Sequence, residues 1–265
     1  DEADRMFDLG FIKDLRYLVR RCSPPEKRLN MLFSATLSQR VLELAYEHMG
    51  EPELVRIEPE KMTVDRVEQV IYHVANDEKV RLLVGLMRKH KPERALVFVN
   101  TKGGAERVWS YLAGNGFNAG LMTGDVRQTT RQRLIGQIKR GEIEVLVATD
   151  VAARGLHIDG VSHVFNFDLP QDPEDYVHRI GRTARAGATG EAISFGCETH
   201  VLSLPDIEAY IGKPIPTAAI AADLLATDLE RPARIDEPGV LEARERRRSG
   251  GGRSDGRGGR DGARR

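Results

Sequence analysis

Residues 94–116 read RALVFVNTKGGAERVWSYLAGNG. Within the first seven, RALVFVN, Ala95 to Val99 are an unbroken apolar run rich in branched and aromatic side chains. Such a run suits a strand buried on both faces better than one with a wet side. From Gly103 to Gly116 the apolar residues recur at helical spacing and end at Gly. One strand followed at once by one amphipathic helix is the unit of a parallel sheet, because parallel neighbours need a crossover.

The unit repeats on either side. Strands are expected at 66–75, 118–122, 144–149, 163–167 and 190–196, and helices at 77–90, 130–141, 173–181 and 200–212. The implied fold class is α/β, a parallel sheet with helices on both faces. Its working loops lie at the carboxyl ends of the strands. VFVNT, LMTGD and LVATD each place Thr, Asn, Gly or Asp there. Before residue 60, helices are expected over 11–21 and 38–49, the first stopped by Pro24 and Pro25 and the second capped by Ser38. LNMLF (29–33) and ELVRIEP (53–59) read as short strands. From about 213 the pattern fades.

Composition narrows the class. The chain has 265 residues, 40% of them hydrophobic, enough for one or two domains. Its two cysteines, Cys22 and Cys197, build neither a disulfide framework nor a four-ligand zinc site, which favours a reducing, cytoplasmic setting. No apolar run approaches the ~18 residues of a membrane span. The zero net charge hides an asymmetry. Residues 244–265 hold nine Arg against three acidic residues, a net +6, which leaves 31 basic against 37 acidic residues, −6, in the rest. Apart from Glu245 and Ala263 this tail is Arg, Gly, Ser and Asp only, and it reads as a disordered segment suited to nucleic acid.

Four segments carry candidate chemistry. DEAD (1–4) offers carboxylates that can hold Mg²⁺ through water. Taken alone, such a match is more often just an acidic helix start. SAT (34–36) ends an expected strand with two hydroxyls. VATDVAARGLHI (147–158) follows an apolar strand with small residues and Arg154. YVHRIGRTARAG (176–187) spaces Arg179, Arg182 and Arg185 three apart, a set of fork-shaped cations suited to a polyphosphate. No G-x-x-x-x-G-K-[ST] phosphate loop occurs anywhere in the chain.

With VFVNT (97–101) and TGDVRQTTR (123–131), these segments occur in the order used by one family. The chain resembles the DEAD-box ATP-dependent RNA helicases from residue 1 to about 212. His178, together with SAT and DEAD, separates it from DNA-directed relatives. The resemblance implies that residues 1–60 are the last part of a first RecA-like domain and 62–212 a whole second one. A C-terminal extension over 213–265 follows. The phosphate loop and the adenine-reading segment would precede DEAD in a longer parent. The cofactors implied are ATP and Mg²⁺. Asp1 and Glu2 would serve the metal and the attacking water, with Glu2 as base. Asp4 would bridge to His178 or to SAT. Ser34, Thr36 and His178 would couple ATP state to RNA. Arg182 and Arg185 would be arginine fingers on the γ-phosphate. Thr101, Gly124, Gln128, Arg131 and Thr149 would lie along the RNA backbone.

Two departures from the family pattern stand out. His157 occupies the position where an Asp usually meets the ATP ribose, and Ala184 stands where Gly is common. Within the family the chain looks most like the helicase of the bacterial RNA degradosome, which implies endoribonuclease E and other degradosome components as partners. A parent of this kind would unwind short RNA duplexes. This chain without its phosphate loop would act as an RNA- and partner-binding module with no turnover.

Overall fold

The computed structural model describes residues 3–8, 10–34, 37, 39–55, 66–153, 158, 160–184 and 189–233. The chain divides into two compact units, Asp1–Pro59 and Glu60–Arg265.

The first unit carries α1 (Ala3–Asp8), α2 (Ile12–Val19) and α3 (Gln39–Met49). Val41, Leu44 and Ala45 bury one stripe of α3 at i, i+3 and i+4. Arg16 ties α2 to α3 by donating from Nε and Nη2 to Glu47 Oε2 at 3.1 and 2.8 Å. Two expectations fail in this unit. Residues 29–34 and 53–55 form no strand. Leu29 is 85% exposed and Phe33 59%. A buried parallel strand needs a hydrogen-bonded neighbour, and no described residue of this unit supplies one. Met31, Phe33, Val41, Tyr46 and Leu54 line an open apolar groove instead. Ser38 and 56–59, for which a cap and a strand end were expected, lie outside the described residues.

The second unit is a seven-stranded, all-parallel sheet with flanking helices. Its strands are β1 (Val67–His73), β2 (Ala95–Phe98), β3 (Ala119–Met122), β4 (Val145–Ala148), β5 (His163–Asn166), β6 (Gly190–Gly196) and β7 (Thr217–Ala218). They lie in the order β3-β4-β2-β5-β6-β1-β7. Ala95 of β2 pairs with Val145 on one side and His163 on the other. The helices are α4 (Lys79–His90), α5 (Lys102–Gly114), α6 (Gln128–Lys139), α7 (Asp150–Ala153), α8 (Pro173–Ile180) and α9 (Leu204–Ile211).

Side-chain alternation along β2 shows why its sequence is apolar throughout. Ala95 and Val97 join a core with Leu83, Leu86, Val108 and Phe165. Leu96 and Phe98 point the other way, into a second core with Leu134, Ile138 and Leu146.

The chain beyond 212 continues this packing. Leu224 and Ala226 are buried against α4. A Cβ on Gly85 would meet the Leu224 carbonyl oxygen at 1.9 Å, so only glycine lets the two backbones approach. Arg81 Nε donates to the Ala226 carbonyl at 3.0 Å. The Ala233 N–H reaches the Ser110 carbonyl at 2.8 Å. The tail over 244–265, expected to be disordered, lies outside the described residues.

Candidate functional site

Because all seven strands are parallel, their carboxyl ends form one edge. β2, β4 and β5 deliver Asn100, Asp150 and Asp168 to it. These three residues converge on one side chain, Arg179 of α8. Its Nε and Nη2 donate to the two carboxylate oxygens of Asp150, both at 2.6 Å. Nη2 also donates to Asn100 Oδ1 at 2.8 Å, and Nη1 to the Asp168 carbonyl at 2.6 Å. The guanidinium lies 5.2 Å from the centre of the Phe98 ring. Arg179 is 1% exposed.

The local sequence explains that orientation. Asp172 caps α8 by accepting from the Glu174 N–H at 2.9 Å, and Pro173 occupies its first turn. Tyr176, Arg179 and Ile180 then share the inward face at i, i+3 and i+4. Tyr176 donates its hydroxyl to Gln69 Oε1 at 2.9 Å, and burial pushes its pKa up.

The reading of Arg179, Arg182 and Arg185 as three equivalent cations for a polyphosphate therefore needs correction. Arg179 is a buried strut whose donors are spent on loops of its own sheet. Arg182 follows the helix end, where its half-buried side chain donates from Nε to the His178 carbonyl at 3.2 Å. Arg185 lies outside the described residues.

A second buried cation stands beside the first. Lys79, fully buried, pairs with Asp168 Oδ1, and its ammonium lies 4.3 Å from the centre of the Phe167 ring. Asp168 Oδ2 accepts from the Asn100 N–H at 3.0 Å. His200 Nδ1 lies 3.5 Å from Asp168 Oδ1 and 3.4 Å from Cys197 Sγ. Burial, foremost, holds the His200 pKa below its ordinary value, with Lys79 and Arg179 adding to the effect and Asp168 opposing it. One carboxylate thus links β5, α4 and the loop after β2.

The residues expected along RNA fall on this edge, in different settings. Thr101 is exposed and caps α5, its Oγ1 accepting from the Gly104 N–H at 3.0 Å. Gly124 is exposed in the loop after β3, where a Cβ would have room. Lys102 and Asp125 pair at 2.5 Å and connect the loops after β2 and β3. Gln128 opens α6 on the exposed side, and Arg131 is partly buried one turn on. Thr149 is buried, and its carbonyl accepts from the N–H groups of Ala152 and Ala153 in α7.

In the first unit, Ser34 Oγ accepts from the Asp4 N–H at 3.1 Å, and Ala3 N–H donates to the Phe33 carbonyl at 3.1 Å. The start of α1 is thereby tied to the SAT segment. His178 Nε2 lies 4.0 Å from Glu174 Oε1. Ala184 adopts φ 54° while buried, a left-handed conformation that glycine enters more easily. Asp1, Glu2, Thr36, Arg154 and His157 lie outside the described residues.

Sequence reading missed Asn100, Asp150 and Asp168 as the partners of buried cations. The available signal is a polar letter at the end of three buried strands that neighbour one another in the sheet: VFVN, VATD and FNFD.

The chain is similar to known proteins. Residues 1–44 match the model described as DEAD/DEAH box helicase, and residues 78–187 match the helicase conserved C-terminal domain. The ATP-dependent RNA helicase RhlB of Escherichia coli (strain K12 / DH10B) is 53% identical over 257 residues, covering 94% of this chain. The chain spans 61% of the length of that relative. Among solved structures, E. coli DEAD-box protein SrmB, bound to the regulator of ribonuclease activity A, is 38% identical with a TM-score of 0.57. That match covers 62% of this chain and 97% of SrmB's. S. cerevisiae Dbp5 bound to RNA and ADP BeF3 is 32% identical with a TM-score of 0.72, covering 83% of this chain and 58% of that one. On the motifs, the parallel sheet and these matches together, the chain belongs to the DEAD/DEAH box helicase family.

Proposed function

We propose that this chain is the greater part of an ATP-dependent RNA helicase that separates short RNA duplexes. The observation that carries the reading is the Arg179 strut. It fixes the loops after β2, β4 and β5 to one another, and the same edge presents Thr101 and Gly124 to solvent. Preset loops on a buried sheet suit a ligand read by its backbone. Thr101, Gly124, Gln128, Arg131 and Thr149 contact RNA phosphates and sugars and carry no sequence preference.

ATP, when bound with Mg²⁺, supplies the γ-phosphoryl group whose transfer to water drives the cycle. The described part of the chain fits that role through Arg182, whose fork is oriented by the His178 carbonyl. Arg182 and Arg185 stabilise charge on the γ-phosphate. Asp1 and Glu2 would hold the metal through water, with Glu2 as the base for the attacking water. His157 would face the ribose in place of the Asp usual in the family. Asp4, Ser34, Thr36 and His178 pass the nucleotide state to the RNA side, which the Asp4–Ser34 hydrogen bond supports on one side.

The protein acts in the cytoplasm with endoribonuclease E and other degradosome components. No described helix is long and apolar enough to cross a membrane.

These 265 residues by themselves bind RNA and partners without turnover. They hold no phosphate loop, so Mg·ATP is gripped from one side only. Phosphate release by the purified chain with saturating RNA tests this. The expected rate equals that of a protein-free blank. Release above the blank that scales with chain concentration contradicts it.

A further inference from the structure

The opposite edge of the sheet, where β5 and β6 begin, holds the one group of three potential metal ligands among the described residues: His90, His163 and Glu191. His90 ends α4, His163 opens β5, and Glu191 is its register partner on β6. The cluster lies away from the carboxyl edge that the helicase reading uses.

Two of its donor spacings, both to Glu191, are those of a coordination shell. His90 Nδ1 lies 3.3 Å from Glu191 Oε2, and His163 Nε2 lies 3.4 Å from the same oxygen. All three donor atoms fall within 4.8 Å of one another. Zinc bonds of about 2.0–2.2 Å in a tetrahedron set neighbouring donors roughly 3.3–3.5 Å apart. The set of two imidazoles and one carboxylate is one that zinc uses with a fourth position left to water.

The hydrogen bonds around His163 decide which nitrogen is offered. Ser162 Oγ donates its proton to the Arg94 carbonyl at 3.1 Å. It therefore accepts from His163 Nδ1, 2.9 Å away. In the neutral ring that leaves the Nε2 lone pair facing the cluster. Nε2 is buried and has no hydrogen-bond partner, in a residue 8% exposed. A lone pair aimed at a carboxylate oxygen needs a cation between them. Ser162 is the outer partner that holds the ring in the tautomer a metal takes. Phe165 stacks on it at 6.1 Å, and His90 meets it edge-on at 5.4 Å. His90 and Glu191 are partly exposed, which gives an ion a way in.

We propose that His90 Nδ1, His163 Nε2 and Glu191 Oε2 form a binding site for a divalent transition-metal ion, with zinc suited to the set of two imidazoles and one carboxylate. The site ties the end of α4 to the starts of β5 and β6, remote from catalysis.

Zinc titration of the metal-free full chain against a chromophoric chelator tests this. One Zn²⁺ per chain is expected, at micromolar Kd or tighter. The double variant H90A/E191Q, which leaves the buried His163 ring in place, is expected to weaken that binding at least thirtyfold. Zinc should raise Tm in the native chain and not in the double variant. Unchanged affinity in the double variant overturns the proposal, since the metal would then sit on other histidines. So does the lack of any binding at micromolar zinc. Cobalt in the unmodified chain decides independently of folding in the variant. Intense four-coordinate visible bands support the site, and a pale six-coordinate spectrum overturns it.

Discussion

Arg179 and Asp150 form a two-pronged pair, Nε to Oδ1 and Nη2 to Oδ2 each at 2.6 Å, with the arginine 1% exposed. The two residues are 29 positions apart, and their pairing fixes α8 to the end of β4. A buried charge with this many partners is costly to leave half-made, because the survivor stays desolvated and unpaired.

Arg179→Ala is therefore expected to destabilise the chain by about 3–5 kcal/mol. Arg179→Lys should destabilise it too, because an ammonium cannot reproduce the fork that spans Asp150, Asn100 and the Asp168 carbonyl. Urea unfolding checks both, as a fall in midpoint with unchanged m. A shift within the ±0.5 kcal/mol of a surface substitution would return Arg179 to the role of a solvated or ligand-binding cation.

Arg182→Ala behaves differently. Its stability effect should be small, since the side chain is only half buried and the helix has already ended. In the full-length protein, kcat for RNA-stimulated ATP hydrolysis should fall by on the order of 10³–10⁵, with KM for ATP changed less. Arg185→Ala should match it. A kcat within about threefold of the unmodified protein would assign these arginines to structure or to RNA.

His200 gives the fold a pH dependence with a definite sign. Asp168, Lys79, Arg179 and Cys197 all face or surround it. Its folded pKa is depressed below the unfolded value of about 6.5. Stability tied to the neutral ring is thus present above about pH 6.5 and lost as pH falls from there toward the folded pKa. Urea midpoints at pH 7.5 and 5.5 should differ more for the native chain than for His200→Gln. An equal or larger difference in the variant contradicts the assignment.

The sheet was legible because parallel strands covered on both faces must be apolar throughout, and β2, with every residue buried, is the plainest case. The interior cations were not legible. Arg179 reads as one of three cations for a polyphosphate and Lys79 as one more residue of the helix expected over 77–90, and their acids lie 29 and 89 residues away. Phe33 misled for a related reason: an apolar run states that a surface can be covered, not that a neighbouring strand is there to cover it. β7 has two residues, and Leu224 and Ala226 have no periodic context, so the packing beyond 212 left no pattern to follow. Of the candidate site, the Thr, Asn and Asp letters at strand ends located the edge, while their division into struts and ligand contacts required the hydrogen bonds.

The Arg/Gly tail is expected to add RNA affinity without sequence preference. Its net +6 lets it follow phosphates. Deleting 244–265 should weaken RNA binding and flatten the dependence of log K on log salt, by up to ~0.7 per lost contact on single strands. If affinity and slope both stay as they were, the tail only solubilises.

The central claim, ATP-driven separation of RNA strands, is tested most directly by strand release from a short fluorescent RNA duplex with the full-length protein. Release is expected only with ATP and Mg²⁺ together, is expected to fail in Arg182→Ala, and is not expected with a DNA duplex of the same sequence. Release that proceeds equally without ATP, or equally on the DNA duplex, would contradict the account.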